Sequence, residues 1–209
     1  VSVKPHLRGW IHLVAAPLSL AASIVLTCLA PTGATKGGSA IYLAASLILF
    51  GISALYHRFY WSPRWEIVWN RLDHSNIFLL IAGTYTPLSI AILPHDQAVT
   101  ILSIVWGGAL LGILLNLFWP TAPRWLATLI YVALGWVALW YLPQFWSLGG
   151  AVIVWLLLAG GILYTIGAVV YATKKPDLSP RWFGFHEIFH LCTVLAWACH
   201  CVAVYLAVL

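Results

Sequence analysis

Along the chain, apolar residues neither alternate with polar ones nor form narrow stripes. They run in blocks of about twenty, broken by proline, glycine and clustered charge. Seven blocks, at about 10–30, 40–58, 73–93, 99–119, 125–142, 149–171 and 186–208, are long enough to cross a hydrocarbon core, which takes about 20 helical residues. In lipid a chain must satisfy its own backbone N–H and C=O groups, and the lack of period-two alternation excludes barrel strands, so all seven are expected to be helices. The breaks carry Pro31 with Thr32 and Gly33, Pro63, Pro94, Pro120 with Pro123, Pro143, and Pro176 with Pro180. No internal repeat is visible. The expected fold is all-α: one domain, 1–209, of seven transmembrane helices with short connections.

Composition removes the alternatives. Only 7% of residues are charged and 63% are hydrophobic, whereas a soluble domain carries about 25% charged residues. The 13 Trp and 9 Tyr suit interfacial belts. The sequence has no Met, even at position 1, so its start is expected to be trimmed or processed. The first block is expected to be a retained span and not a signal peptide, because further spans follow it. Cys28, Cys192, Cys199 and Cys201 form no CxxC pair and are expected to be small packing residues, without disulfide or thiolate metal chemistry.

Charge assigns the sides. Lys4, Arg8, Arg58, Arg64, Arg71, Arg124, Lys174, Lys175 and Arg181 fall on one side of the seven crossings, and only Lys36 on the other. Positive-inside reasoning puts the N-terminus in the cytoplasm and the C-terminus outside, in the inner (plasma) membrane. Sidedness and anionic headgroups account for the +5 net charge, so no nucleic-acid partner is expected.

Ionisable residues inside spans cost about 2.5–3.5 kcal/mol each at the helix centre, which makes each one a functional candidate. Ser53 and His57 end span two, Asp73 and His74 begin span three, and His186, Glu187, His190 and His200 lie on span seven. Given the alternating directions of the spans, all except His200 share one depth at the cytoplasmic side. His186 and His190 are one helical turn apart and share a face, the spacing for chelating one ion. His57 can add a third nitrogen. Three imidazoles leave a fourth tetrahedral position for water, the pattern of a catalytic zinc site, with Asp73 placed to orient that water and take its proton. Ser53, one turn deeper than His57, can bond the surrounding groups or a substrate oxygen.

Blander readings apply elsewhere. His6, His12 and His95 are expected to contact headgroups. His74 is rotated about 100° from Asp73 on its helix, and Asp73 is the one expected to face the site. His200, roughly 15 Å deeper than His190, is expected to bond a neighbouring helix or line a cavity. For His186 and His190 alone, interhelical hydrogen bonding weighs as much as metal; His57 and Asp73 at the same depth tip the balance to metal. His186-Glu187-Ile188-Phe189-His190 also reads as H-E-x-x-H, in which the glutamate is a metalloprotease base. The site-2 type of intramembrane protease takes a third ligand from L-D-G, and here Leu72-Asp73 is followed by His74. Glu187 is offset about 100° from His186, an orientation that would let it face the basic loop instead.

Three separated motifs carry a resemblance over nearly the whole chain. They are Ser53-Ala54-Leu55-Tyr56-His57, the stretch Arg71-Leu72-Asp73-His74-Ser75-Asn76-Ile77 continuing to Gly83-Thr84-Tyr85-Thr86-Pro87, and His186-Glu187-Ile188-Phe189-His190. In these the chain resembles the hemolysin III group, related to the progestin and adipoQ receptors and more distantly to the alkaline ceramidases. The resemblance implies a seven-helix receptor-like fold with a cytoplasmic N-terminus and a zinc ion held by His57, His186 and His190, with Asp73 near the bound water and Ser53 close by. The receptors' longer N-terminal region is not expected here, and their hormone-binding role is not carried over. Two functions compete. One is a zinc-dependent hydrolase of a membrane lipid amide, ceramidase-like. The other is a non-enzymatic membrane regulator or sensor in which zinc ties spans two and seven together. Pore formation has little support, since no span shows a regular polar stripe.

Overall fold

Helix ends are set by short local signals. Thr32 opens the second helix: its Oγ1 accepts from the Thr35 N–H, and the Thr35 hydroxyl accepts from the Thr32 N–H, both at 3.1 Å. Pro63 opens the third, with Glu66 in its first turn where the helix dipole favours an acid. The computed structural model describes residues 5–119, 123–179 and 181–209, without the Arg124 side chain. Lys4, Pro120 and Pro180 lie outside the described residues.

Among these residues seven spans are long and apolar enough to cross a membrane. They are α1 (Trp10–Leu29), α2 (Gly33–Arg58), α3 (Pro63–Ile92), α4 (His95–Phe118), a fifth span that begins with α5 (Arg124–Gly135), then α6 (Ala151–Thr173) and α7 (Phe185–Val208). Burial separates them: 67% of the spanning window is buried in α3, 50% in α2 and 44% in α7, against 22–28% in the others. The inner three are those that carry the candidate site residues.

Several ends differ from the sequence expectation. α2 begins at Gly33, not near 40, because the Thr32 cap recruits a glycine-rich stretch that composition alone reads as loop. α3 begins ten residues before 73; Arg64, Glu66, Asn70 and Arg71 are too polar for hydrocarbon, yet they continue the helix beyond it. α4 begins at His95.

The fifth span is not the straight helix expected over 125–142. After Gly135 the backbone tightens to a 3-10 helix (Trp136–Tyr141), passes through one α turn (Leu142–Gln144) and ends in a π turn (Phe145–Gly149). Such irregularity at membrane depth requires other groups to satisfy the backbone. Tyr85 of α3 does this with one hydroxyl, which donates to the Gly135 carbonyl and accepts from the Ala138 N–H, each at 2.7 Å. A Tyr85→Phe variant is expected to lose about 1–3 kcal/mol of stability, the cost of unpaired buried backbone groups. Reversible unfolding in mixed micelles measures it; a loss below a few tenths of a kcal/mol would show that the break needs no such support.

Other polar ties run between helices. Trp197 Nε1 of α7 donates to Ser46 Oγ of α2 at 2.9 Å, and Trp106 Nε1 of α4 donates to Thr86 Oγ1 of α3 at 3.1 Å. Gly83 lets α3 lie directly against α2: a Cβ there would come within 2.5 Å of the Ala45 Cβ. All four cysteines are free; Cys192 and Cys201 are buried, Cys199 is partly buried and Cys28 is exposed.

Candidate metal centre

The site is built from helix ends. At the head of α7 the Glu187 carboxylate turns back to accept the Gly184 N–H at 2.8 Å, satisfying one of the open N–H groups of the first turn. Asp177 Oδ1 accepts the Phe185 N–H at 3.2 Å. That start puts His186 and His190 on one inward face of α7, both buried. His57, in the last turn of α2, meets them, and its Nε2 lies 3.2 Å from the Nε2 of His186.

One ligand atom from each of His57, His186 and His190 lies within 4.8 Å of the others. Two imidazole nitrogens sharing a tetrahedral zinc at about 2.0–2.1 Å stand about 3.3 Å apart, so the observed spacing fits an edge of that tetrahedron. A hydrogen bond between His57 and His186 would engage two of the three nitrogens; an ion engages all three. The donors fit a borderline cation such as zinc.

The Asp73 carboxylate lies beside this group, Oδ2 at 3.4 Å from His57 Nε2. Ser53 is buried one turn deeper on α2, on the wall of the same cavity as Asp73. His12, Ser53, Asp73, His74, His186 and His190 line one small cavity of about 20 Å³, which holds the polar side chains of the site although most of its exposed wall is carbon. Leu49, Ile77, Phe189 and Thr193 line it too, and the same four residues line a larger, almost wholly apolar cavity of about 100 Å³. That second cavity extends between α3, the fifth span, α6 and α7, past Leu80, Tyr131, Trp136 and Tyr164 to His200.

The remaining candidates have definite places. His74 Nδ1 lies 2.7 Å from the Asn70 carbonyl, which can only accept, so that nitrogen carries a proton, and Nε2 shares a hydrogen bond with the Tyr171 hydroxyl at 2.6 Å. His200 meets both expectations: its Nε2 lies 3.2 Å from the Leu157 carbonyl of α6, and its ring lines the apolar cavity. His6 and His95 are exposed. Glu187 does not face a basic loop at the surface. It is 1% exposed and ion-paired to Arg8, and it is absent from the lining of the polar cavity, because the rotation of about 100° from His186 turns it toward α1.

His12 is the clearest correction. It is not a headgroup contact: it is 3% exposed, and its ring stacks on His190 with centroids 3.8 Å apart and planes 12° from parallel. The whole start of α1 is built into the site. Arg8 pairs with Glu187, Arg58 lies 4.4 Å over the Trp10 ring, and Gly9 packs against His57. Gly9 has φ +81°, and a Cβ there would come 2.8 Å from the His57 Cβ, so both conformation and space demand glycine. A sequence signal for this existed. His12, Ala15, Ser19, Ser23 and Leu26 recur at three- and four-residue spacing and form the buried face of α1. A small-residue stripe of that kind marks a packed helix face, on which His12 points inward.

Residues 2–201 match the family model described as Haemolysin-III related. Hemolysin-3 of Bacillus cereus is 35% identical over 188 residues, covering 86% of this chain and 80% of that protein. A Hemolysin-3 homolog of Bacillus subtilis (strain 168) is 37% identical over 147 residues, 69% of this chain and 68% of that protein.

Proposed function

The chain belongs to the haemolysin-III related family of multi-pass membrane proteins, and from that premise we propose that it is a zinc-dependent hydrolase of a membrane lipid amide. The observation that carries this reading is the shared wall of the two cavities. Leu49, Ile77, Phe189 and Thr193 line both a small chamber that the ligand candidates His186 and His190 and the Asp73 carboxylate also line, and a larger cavity walled almost wholly by apolar groups, the side from which an acyl chain would approach. An amphipathic lipid has the same two parts in the same order.

His57, His186 and His190 would hold the ion. Bound there, zinc supplies Lewis acidity that polarises a carbonyl and lowers the pKa of a water. Asp73 supplies the carboxylate of the chamber, the group that would accept a proton there, and Ser53 lines the chamber beside it. The His74–Tyr171 pair closes one wall. The apolar cavity binds the acyl chain and keeps water from it. The excess of cations at this end of the bundle supports a cytoplasmic location for the site, with the protein in the plasma membrane. The protease reading lacks its base, since Glu187 is engaged by Arg8 and by the Gly184 N–H.

The test is release of fatty acid from an N-acyl sphingosine by the purified chain in nanodiscs. The parent is expected to release it and an Asp73→Asn variant to do so roughly 10²-fold more slowly, with metal content unchanged. Equal release by parent and variant would overturn the assignment. Retained metal with no release from either would favour the ion as a cross-tie between α2 and α7 in a non-enzymatic regulator.

A further inference from the structure

We propose that His12 is a positioning residue for the metal centre: the flat face of its ring holds His190 in the orientation that turns a ring nitrogen toward His57 and His186. The inference rests on the metal reading above and does not depend on hydrolysis. A metal-ligating imidazole is usually steered through its second ring N–H, which donates to a carboxylate or a carbonyl. His57 and His186 have polar neighbours, their Nε2 atoms standing 3.2 Å apart and Asp73 Oδ2 lying 3.4 Å from His57. The His190 ring makes no hydrogen bond among the described residues.

What holds His190 is ring contact. His12 covers one of its faces, with centroids 3.8 Å apart and planes 12° from parallel, and the His190 backbone lies against the same ring. His57 and His186 approach it tilted, at 5.0 Å and 59° and at 4.6 Å and 68°. An imidazole binds a metal through a lone pair in the ring plane, so a partner on its face steers it without occupying the donor atom. Turning the His190 ring out of that plane would drive its edge into His12. His12 cannot give way, since it is buried and Phe50 meets it edge-on at 5.2 Å and 74°. Phe50 is met edge-on in turn by Trp197, whose Nε1 is bonded to Ser46. The ligand is thus locked by packing against α1 and α2, the kind of support that a functional site needs to keep its geometry.

A flat ring at position 12 suffices for this role, its nitrogens being unused, so phenylalanine and leucine should behave differently there. Zinc affinity of the full chain in nanodiscs, measured by competition with a chromophoric chelator, tests this together with the visible absorption of the cobalt-loaded protein, which reports ligand geometry. His12→Phe is expected to bind zinc with an affinity close to the parent's and to leave the cobalt bands unmoved. His12→Leu, which fills the space without a flat face, is expected to bind about 10–100-fold more weakly, the usual loss when a ligand's outer partner is removed, and to shift the bands. His12→Ala, a second ringless variant should leucine not fold, is expected to do the same. Parent-like affinity and bands in a ringless variant would reduce His12 to packing. Weaker binding with unmoved bands would place the effect on the fold and not on the ligand, and equal loss in His12→Phe would show that the nitrogens matter; either overturns the proposal. A parent that binds no zinc would remove the metal reading and this assignment with it.

Discussion

An Arg8→Ala variant is expected to be less stable than the parent by about 3–5 kcal/mol, the usual consequence of leaving one member of a buried ion pair alone. Glu187 is 1% exposed, and Arg8 is its only charged partner among the described residues. Without the guanidinium, the carboxylate would keep the Gly184 N–H but lose its counter-charge while itself almost wholly buried. The pair also anchors residues 5–9. There the His6 N–H donates to the Arg181 carbonyl at 3.0 Å, and the His6 ring lies 4.5 Å from that of Trp182. Combining Arg8→Met with Glu187→Leu is expected to restore most of the stability, since a matched apolar pair carries no desolvation cost. Reversible unfolding in mixed micelles reads both variants. A single-variant loss below 1 kcal/mol would mean that Glu187 finds water or another partner.

On the zinc reading, His57→Ala is expected to abolish stoichiometric metal binding. Losing a direct ligand should weaken affinity by more than the 10–100-fold typical of losing a ligand's outer partner. The measurement pairs metal content by mass spectrometry with melting temperature before and after chelation. A metal that binds only the folded chain at about 1,000 times its Kd stabilises it by about 4 kcal/mol. The parent should therefore melt lower after chelation, whereas His57→Ala should melt at that lower temperature with or without chelator. Because His57 is the one imidazole from α2, its loss also removes any metal-mediated tie between α2 and α7, which His186→Ala alone would not distinguish from a local change in α7. Chelator sensitivity that persists in His57→Ala would show that the ion sits elsewhere.

Most of the fold was legible because membrane helices announce themselves through a single variable, apolar length. The helix ends were less legible where capping, a property of two or three side chains, overrode composition: Thr32 added seven residues to α2, and Pro63 added ten to α3. In the fifth span the sequence marked only Pro143, not the tightening that begins after Gly135, since the repair of that stretch is a hydroxyl fifty residues away on α3. In the site, His57, Asp73, His186 and His190 could be grouped by depth and helical phase. His12 was not included because a histidine two residues into a span lies at the same depth whether it faces lipid or protein. Only the full register of small residues along α1 separates those cases.

One more consequence follows from the length of α3. Its 30 residues extend about 45 Å, while a hydrocarbon core is about 30 Å thick. Counted back from its end at Ile92, beside Pro94, His95 and Asp96, the last twenty residues begin at Asp73. A hydrocarbon core that ended at Ile92 would make the helix a depth gauge, with its carboxylate at the plane where acyl tails give way to the first polar linkage of a lipid. A thicker bilayer would draw Asp73 into hydrocarbon or force the bundle to thin the leaflet around it, so membrane thickness becomes a variable of the site itself.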